Sequence, residues 1–222
     1  MSAILDLLFP RSCLVCGGGE ELLCAACQGR LHLLRGPLCA RCGAPTAWAV
    51  ERCAECAGRR IPFATARAAV AYEGPPRALV AAWKDRGLRD VTAFAAGLVV
   101  EIVPRPPAAA LTWIPGDRDR TLWRGHNTAE ALARELGRRW DMPVRKLLSR
   151  VRAVPRQRGL ARAERRRNVR GAFSSVATAP AVVTVIDDVY TTGATAAAAA
   201  TELRRAGARA VHVVTFARAV RS

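Results

Sequence analysis

Eight cysteines lie before residue 57, in four Cys-x-x-Cys pairs: CLVC (13–16), CAAC (24–27), CARC (39–42) and CAEC (53–56). Such a turn aims two thiolates at one tetrahedral ion, and two turns close a structural zinc site. Cys13, Cys16, Cys24, Cys27, Cys39, Cys42, Cys53 and Cys56 therefore suit two Zn2+ ions. Gly17 and Gly43 directly follow the second cysteine of their pairs, where a knuckle turn favours positive φ. That places 13–16 with 24–27 and 39–42 with 53–56, as two sequential ribbons. A cross-braced pairing, a redox pair and an iron–sulfur cluster are alternatives that the spacing leaves open. In a reducing cytoplasm such cysteines ligate metal rather than form disulfides. The segment has too little apolar sequence for a core of its own, so metal must supply its folding energy.

A second group lies in VVTVIDDVYTTGAT (182–195). VVTVI has the continuous apolar character of a central parallel strand, which puts Asp187 and Asp188 at its carboxyl end, where open α/β sheets bind ligands. Val189 and Tyr190 lead to Thr191, Thr192, Gly193, Ala194 and Thr195, which bend into the next helix. That turn offers backbone N–H groups, hydroxyls and the positive end of a helix dipole, a cradle suited to a phosphate. Carboxylates beside a phosphate cradle suit a sugar phosphate, with the acids accepting from ribose hydroxyls. The same pattern also describes a strand ending in a threonine-capped helix that binds nothing. A P-loop is excluded, because GxxxxGK[ST] does not occur.

The elements that must position these groups follow from about Ile61. ARAAVAYEG reads as a strand, and PPRALVAAWKDRG as a helix opened by proline and closed by Gly87. DVTAFAAGLVVEIV is a second helix, LTWIP (111–115) a strand and NTAEALARELGRRW (127–140) a helix. MPVRKLL is extended and GAFSSV a short strand; VVTVID, an Ala-rich helix to Gly207 and ARAVHVVTFARA complete the pattern. Strands alternating with helices predict an α/β fold, a parallel sheet with helices on both faces. The expected division is a small double zinc ribbon over 1–60 and one α/β domain over 61–222.

The formal charge of +17 is carried by arginine, since only Lys84 and Lys146 are lysines. A positive field of that size favours polyanions, although the chain is rich in Arg and Ala throughout. No stretch approaches the roughly 20 apolar residues of a membrane span, and MSAILDLLFPRS lacks a basic n-region. A cytoplasmic protein without membrane insertion is expected.

VIDDVYTTGAT resembles the phosphoribosyl-pyrophosphate (PRPP) motif of type I phosphoribosyltransferases. The wider pattern is similar to the ComF family of competence-associated, GntX-like proteins. It comprises a double zinc ribbon, KDRG (84–87), a strand with proline, RGHN (124–127), QRGLARAERRRNVRGAF (157–173) and the PRPP motif. The resemblance implies a type I phosphoribosyltransferase-like sheet, with Asp187 and Asp188 holding ribose and Thr191 to Thr195 the 5′-phosphate. It places a pyrophosphate loop between Pro115 and Asn127, with Arg118, Arg120, Arg124 and Gly125 as contacts. A second loop over 150–170 carries nine arginines and includes Arg150, Arg152, Gln157, Arg165, Arg166, Arg167 and Asn168. It implies Mg2+ bridging pyrophosphate and ribose oxygens.

In partners, the resemblance implies PRPP or another ribose 5-phosphate ligand, single-stranded DNA entering the cytoplasm and a competence helicase. An active transferase acting on a nucleobase or amine, or a catalytically silent PRPP sensor, is the alternative. Trp48, Trp83, Trp113, Trp123 and Trp140 are available for base stacking. The chain departs from the family at His126, where an aromatic is usual, and at Thr128, where a glutamine is usual.

Overall fold

A computed structural model describes residues 12–86, 89–116, 125–151 and 171–220. Within them the elements run α1 (Ala25–Gln28), β1 (Thr65–Ala71), α2 (Pro75–Arg86), α3 (Arg89–Ile102), β2 (Ala110–Trp113) and α4 (Thr128–Trp140). They continue with β3 (Leu148–Arg150), β4 (Phe173–Ser175), β5 (Val182–Tyr190), α5 (Ala194–Arg205) and β6 (Ala210–Arg218). Four strands form one parallel sheet in the order β1-β6-β5-β2. Its central strands are apolar on both sides, as helices on two faces require: Val183, Val185 and Ile186 of β5 and Val211, Val213 and Phe216 of β6 are buried.

One face carries α2, α3 and α4, with Leu79, Trp83, Val99, Leu132 and Leu136 packed on Ile186 and Phe216. Helix α4 buries Ala129, Leu132, Ala133, Leu136 and Trp140, the spacing of a single helical stripe. The other face carries α5, whose Ala196, Ala199, Ala200 and Leu203 lie on Val183, Val185 and Val213. The α/β reading is thus observed, with two differences. GAFSSV does form a strand, but β4 pairs antiparallel with β3 outside the main sheet. MPVRKLL contributes one parallel bridge, Val144 to Leu111, which covers the outer edge of β2.

The cysteine-rich segment lies along the opposite edge. Leu34 N donates to Ala69 O (2.9 Å), Ala71 N to His32 O (2.9 Å) and Ala66 N to Arg41 O (2.9 Å), so the edge strand β1 is paired rather than open. The approach is closest at Gly43, where φ is +68° and a Cβ would stand 2.4 Å from Ala66 O. Only glycine satisfies both demands. The segment also straddles the sheet. Cys13, Leu23 and Cys27 join the apolar cluster of the α2–α4 face, whereas Cys39, Cys42 and Cys56 join that of the α5 face. The packing continues unbroken across residue 60, where the sequence pattern changes.

Candidate functional site

The structure pairs the cysteines in sequence order. Cys13, Cys16, Cys24 and Cys27 form one group and Cys39, Cys42, Cys53 and Cys56 the other, with all sulfurs in a group within 4.8 Å of one another. Sulfur separations are 3.7 Å for Cys16–Cys24, 3.5 Å for Cys39–Cys56 and 3.5 Å for Cys42–Cys53. Metal–sulfur bonds of about 2.3 Å in a tetrahedron give edges of about 3.8 Å, so the donor sets fit zinc. The cross-braced alternative is overturned. Burial, then the neighbouring thiols, push Cys27 up to about 12, and burial chiefly does the same at Cys42. Four thiolates in such a place need a cation at their centre.

The two acids diverge. Strand β5 continues past VVTVI to Tyr190, pairing Asp187 with Thr215 and Tyr190 with Arg218. Consecutive strand residues point to opposite faces. Asp188, 6% exposed, turns toward α2 and α4, where it pairs with Lys84 Nζ (2.8 Å) and accepts from Thr128 Oγ1 (2.7 Å). Burial works against the Lys84 charge, but the Asp188 carboxylate more than offsets it and raises the ammonium pKa. Asp187 turns the other way, into a recess it lines with Tyr190, Thr191, Gly193 and Thr195. Burial, then the Asp188 charge, push its carboxyl up to about 7.

Each partner of Asp188 is placed by local chemistry. Asn127 caps α4, its Oδ1 accepting from Ala129 N (2.9 Å) and Glu130 N (3.2 Å), while its Nδ2 donates to Ile114 O (3.3 Å). That anchors α4 at the end of β2 and brings Thr128, its first residue, to Asp188. His126 Nε2 lies 2.9 Å from Trp83 O, tying the same corner to α2 one residue before Lys84. His126 and Asn127 of the RGHN run therefore hold the frame of the site.

The loop into α5 is fixed from beneath. Thr192 Oγ1 accepts from Ala194 N (3.3 Å), and Gly193 takes φ +70°. A Cβ on Gly193 would lie 2.2 Å from Tyr190 Oη. Tyr190 cannot swing away, because Phe63 meets it edge-on at 6.3 Å and the Arg218 guanidinium lies 5.0 Å from its ring centre. Burial pushes the Tyr190 phenol up to about 12. Gly193→Ala is expected to cost about 1–2 kcal/mol for the left-handed backbone, and more for the clash. Urea unfolding measures it; a midpoint equal to that of the wild type would show the loop relaxes freely.

No local pattern in the sequence marks what Arg218 and Arg59 hold, because Cys42 O and Thr192 O are distant from them in the chain. Arg218, 1% exposed, donates from Nη1 to Cys42 O and from Nη2 to Glu55 (3.4 Å). Arg59 donates from Nη2 to Thr192 O (3.3 Å). The second cysteine knot is thereby bonded to the loop through Arg59 and to the end of β6 through Arg218. A lone interior arginine ending an apolar strand, VVTFAR, was the available signal.

Arg150 donates from Nε to Pro115 O (3.1 Å) and stacks 4.9 Å over Phe173, and its charge offsets a small part of the rise at Asp187. Gly125 is exposed, with φ +70°. Arg118, Arg120, Arg124, Arg152, Gln157, Arg165, Arg166, Arg167 and Asn168 lie outside the described residues. Of the tryptophans, Trp83, Trp113 and Trp140 are buried in the core, so they are not stacking platforms; Trp123 lies outside the described residues.

Residues 4–57 match the family model described as a double zinc ribbon domain. The chain is 27% identical to competence protein F of Haemophilus influenzae, over 95% of this chain and 98% of that one. It is 30% identical to the DNA utilization protein YhgH of Salmonella typhimurium, over 86% of this chain and 88% of that one. With YhgH of Escherichia coli K12 the figures are 27%, 93% and 96%.

Proposed function

The chain belongs to the ComF family, and from that premise we propose that it acts in competence and DNA uptake, binding PRPP or another ribose 5-phosphate at the β5–α5 turn. The supporting observation is the division of labour between the acids. Asp188 is occupied by Lys84 and Thr128, whereas Asp187 lines the recess beside the first turn of α5. Asp187 would accept from a ribose hydroxyl, and the Thr191–Thr195 turn would take the phosphate through its N–H groups and hydroxyls. Asp188 would hold the floor of the site.

Among the described residues, the groups of three or more metal-ligating side chains are the two cysteine tetrads. Mg2+ would therefore enter on the ligand's own oxygens, next to Asp187. Single-stranded DNA would meet the arginines of 150–170, and a helicase partner would deliver it. No described helix is long and apolar enough to cross a membrane. Transfer to a nucleobase or amine would need no protein nucleophile, only positioning and charge stabilisation at C1′.

Calorimetry with PRPP and with ribose 5-phosphate tests the binding. Asp187→Asn is expected to weaken it tenfold or more, a charge-assisted hydrogen bond being worth about 1.5–3 kcal/mol. Wild-type affinity should rise as pH passes through 7 and Asp187 ionises, and the variant should lose that rise. The sign for the free protein is opposite. Folded Asp187 keeps a proton to about 7 that an unfolded aspartate releases near 3.8, so this group's contribution to stability falls as pH rises between those values. Absence of binding by wild type to either compound would remove the ligand site.

A further inference from the structure

The second cysteine knot presents two kinds of group that the ribose-phosphate site does not use. Trp48 lies between Cys42 and Cys53 and is 71% exposed, whereas the other described tryptophans are at most 7% exposed. Its neighbours Ala47 and Ala49 are exposed and too small to cover the ring. The turn that carries it is fixed, with Thr46 Oγ1 donating to Trp48 O (2.7 Å). A large indole held in water on a metal-closed turn gains nothing for the core.

On the same knot, Arg52, Arg59 and Arg60 line an open groove of about 570 Å3, with Ile61, Pro62 and Thr201 of α5. Among the described residues, none of the three arginines is paired with a carboxylate. Two are held by carbonyls instead: Arg52 Nη1 donates to Arg59 O (3.2 Å), and Arg59 donates to Glu55 O (3.0 Å) and Thr192 O (3.3 Å). Carbonyls orient a guanidinium without cancelling its charge. Among the described residues the groove is therefore a positive surface whose guanidiniums have no carboxylate partner.

We propose that this knot is a binding site for single-stranded nucleic acid, with phosphates in the Arg52–Arg59–Arg60 groove and a base stacked on Trp48. A single strand is the polyanion whose bases leave a π-face free, and stacking plus a positive channel is how such strands are held without sequence preference. A duplex hides those faces, and an acidic peptide would satisfy the arginines alone. The inference rests on the DNA-handling reading above and adds the second ribbon to residues 150–170 as a place where the strand is held.

The test is titration of the zinc-loaded full chain with an oligo-dT, followed by tryptophan fluorescence and by anisotropy of a labelled strand. Trp48→Ala should weaken binding about tenfold. Arg52→Ala with Arg60→Ala should flatten the dependence of log K on log salt by about 1.4, at 0.7 per phosphate. All three residues are at the surface, so zinc content and melting should not change; Arg59 is left in place because it also holds Thr192 O. Inorganic polyphosphate of matched charge should bind more weakly than the oligonucleotide and be indifferent to Trp48→Ala. Equal affinity for polyphosphate, or wild-type affinity in both variants, would overturn the assignment while leaving DNA handling elsewhere intact. No affinity of wild type for the strand at low salt would instead remove the DNA-handling reading itself.

Discussion

Cys42→Ser is expected to lower the melting temperature of the whole chain. Its sulfur belongs to the second tetrad, and its carbonyl receives the buried Arg218 guanidinium. Cys39, Cys42 and Cys56 share an apolar cluster with Val183 and Val213 of the sheet and with Leu203 of α5. Losing the ion removes a binding free energy of about 10–16 kcal/mol in small zinc modules. A loosened knot would also leave Arg218 buried without its partners, a penalty of about 3–5 kcal/mol. Those terms rival the whole stability of an ordinary domain, about 5–15 kcal/mol. Metal analysis should give two zinc ions per wild-type chain and fewer in the variant. Hydrogen exchange should quicken in β6 and at the start of α5 as well as in the ribbon. A variant with one ion, wild-type melting and unchanged protection in β6 would show that the knot and the sheet are independent.

Asp188→Ala is the second large effect. It removes the carboxylate that Lys84 and Thr128 share, leaving the ammonium and the hydroxyl without their common partner. One-sided removal of a buried pair costs about 3–5 kcal/mol, and the partial exposure of Lys84 puts this case at about 3. Urea unfolding of Asp188→Ala, Lys84→Met and the double variant separates the terms. The double variant should recover much of the stability, because the pair is removed whole and Asp187 loses the Asp188 repulsion together with the Lys84 attraction. It should not recover ribose 5-phosphate binding, since the strand end beneath Asp187 would have lost its polar brace. Additive losses in the double variant would mean that the two groups do not interact.

Much of this was legible in the chain. The Cys-x-x-Cys spacing identifies the thiolate pairs because a knuckle turn is local. The three-and-four spacing of Ala129, Leu132, Ala133, Leu136 and Trp140 marks α4 as a helix from local sequence. The acid–acid–threonine run likewise identifies a strand entering a helix through a polar turn. Each of these readings depends on neighbours within a few residues, and local patterns of φ, ψ and side-chain period carry them.

Four matters were decided by tertiary structure alone. Lys84 reaches Asp188 across 104 residues, a pairing that no local pattern encodes. Asp187 and Asp188 look equivalent in sequence, yet the pleat of β5 sends one to Lys84 and the other to the recess; which face receives which depends on strand register and on what packs there. Five tryptophans offered the same chemistry, and only packing separates Trp48 on the ribbon from Trp83, Trp113 and Trp140 in the core. The ribbon itself reads as a separable knot, since its ligands are close in sequence. It became part of the core because the sheet has an open edge at β1, and the backbone donors and acceptors there needed partners.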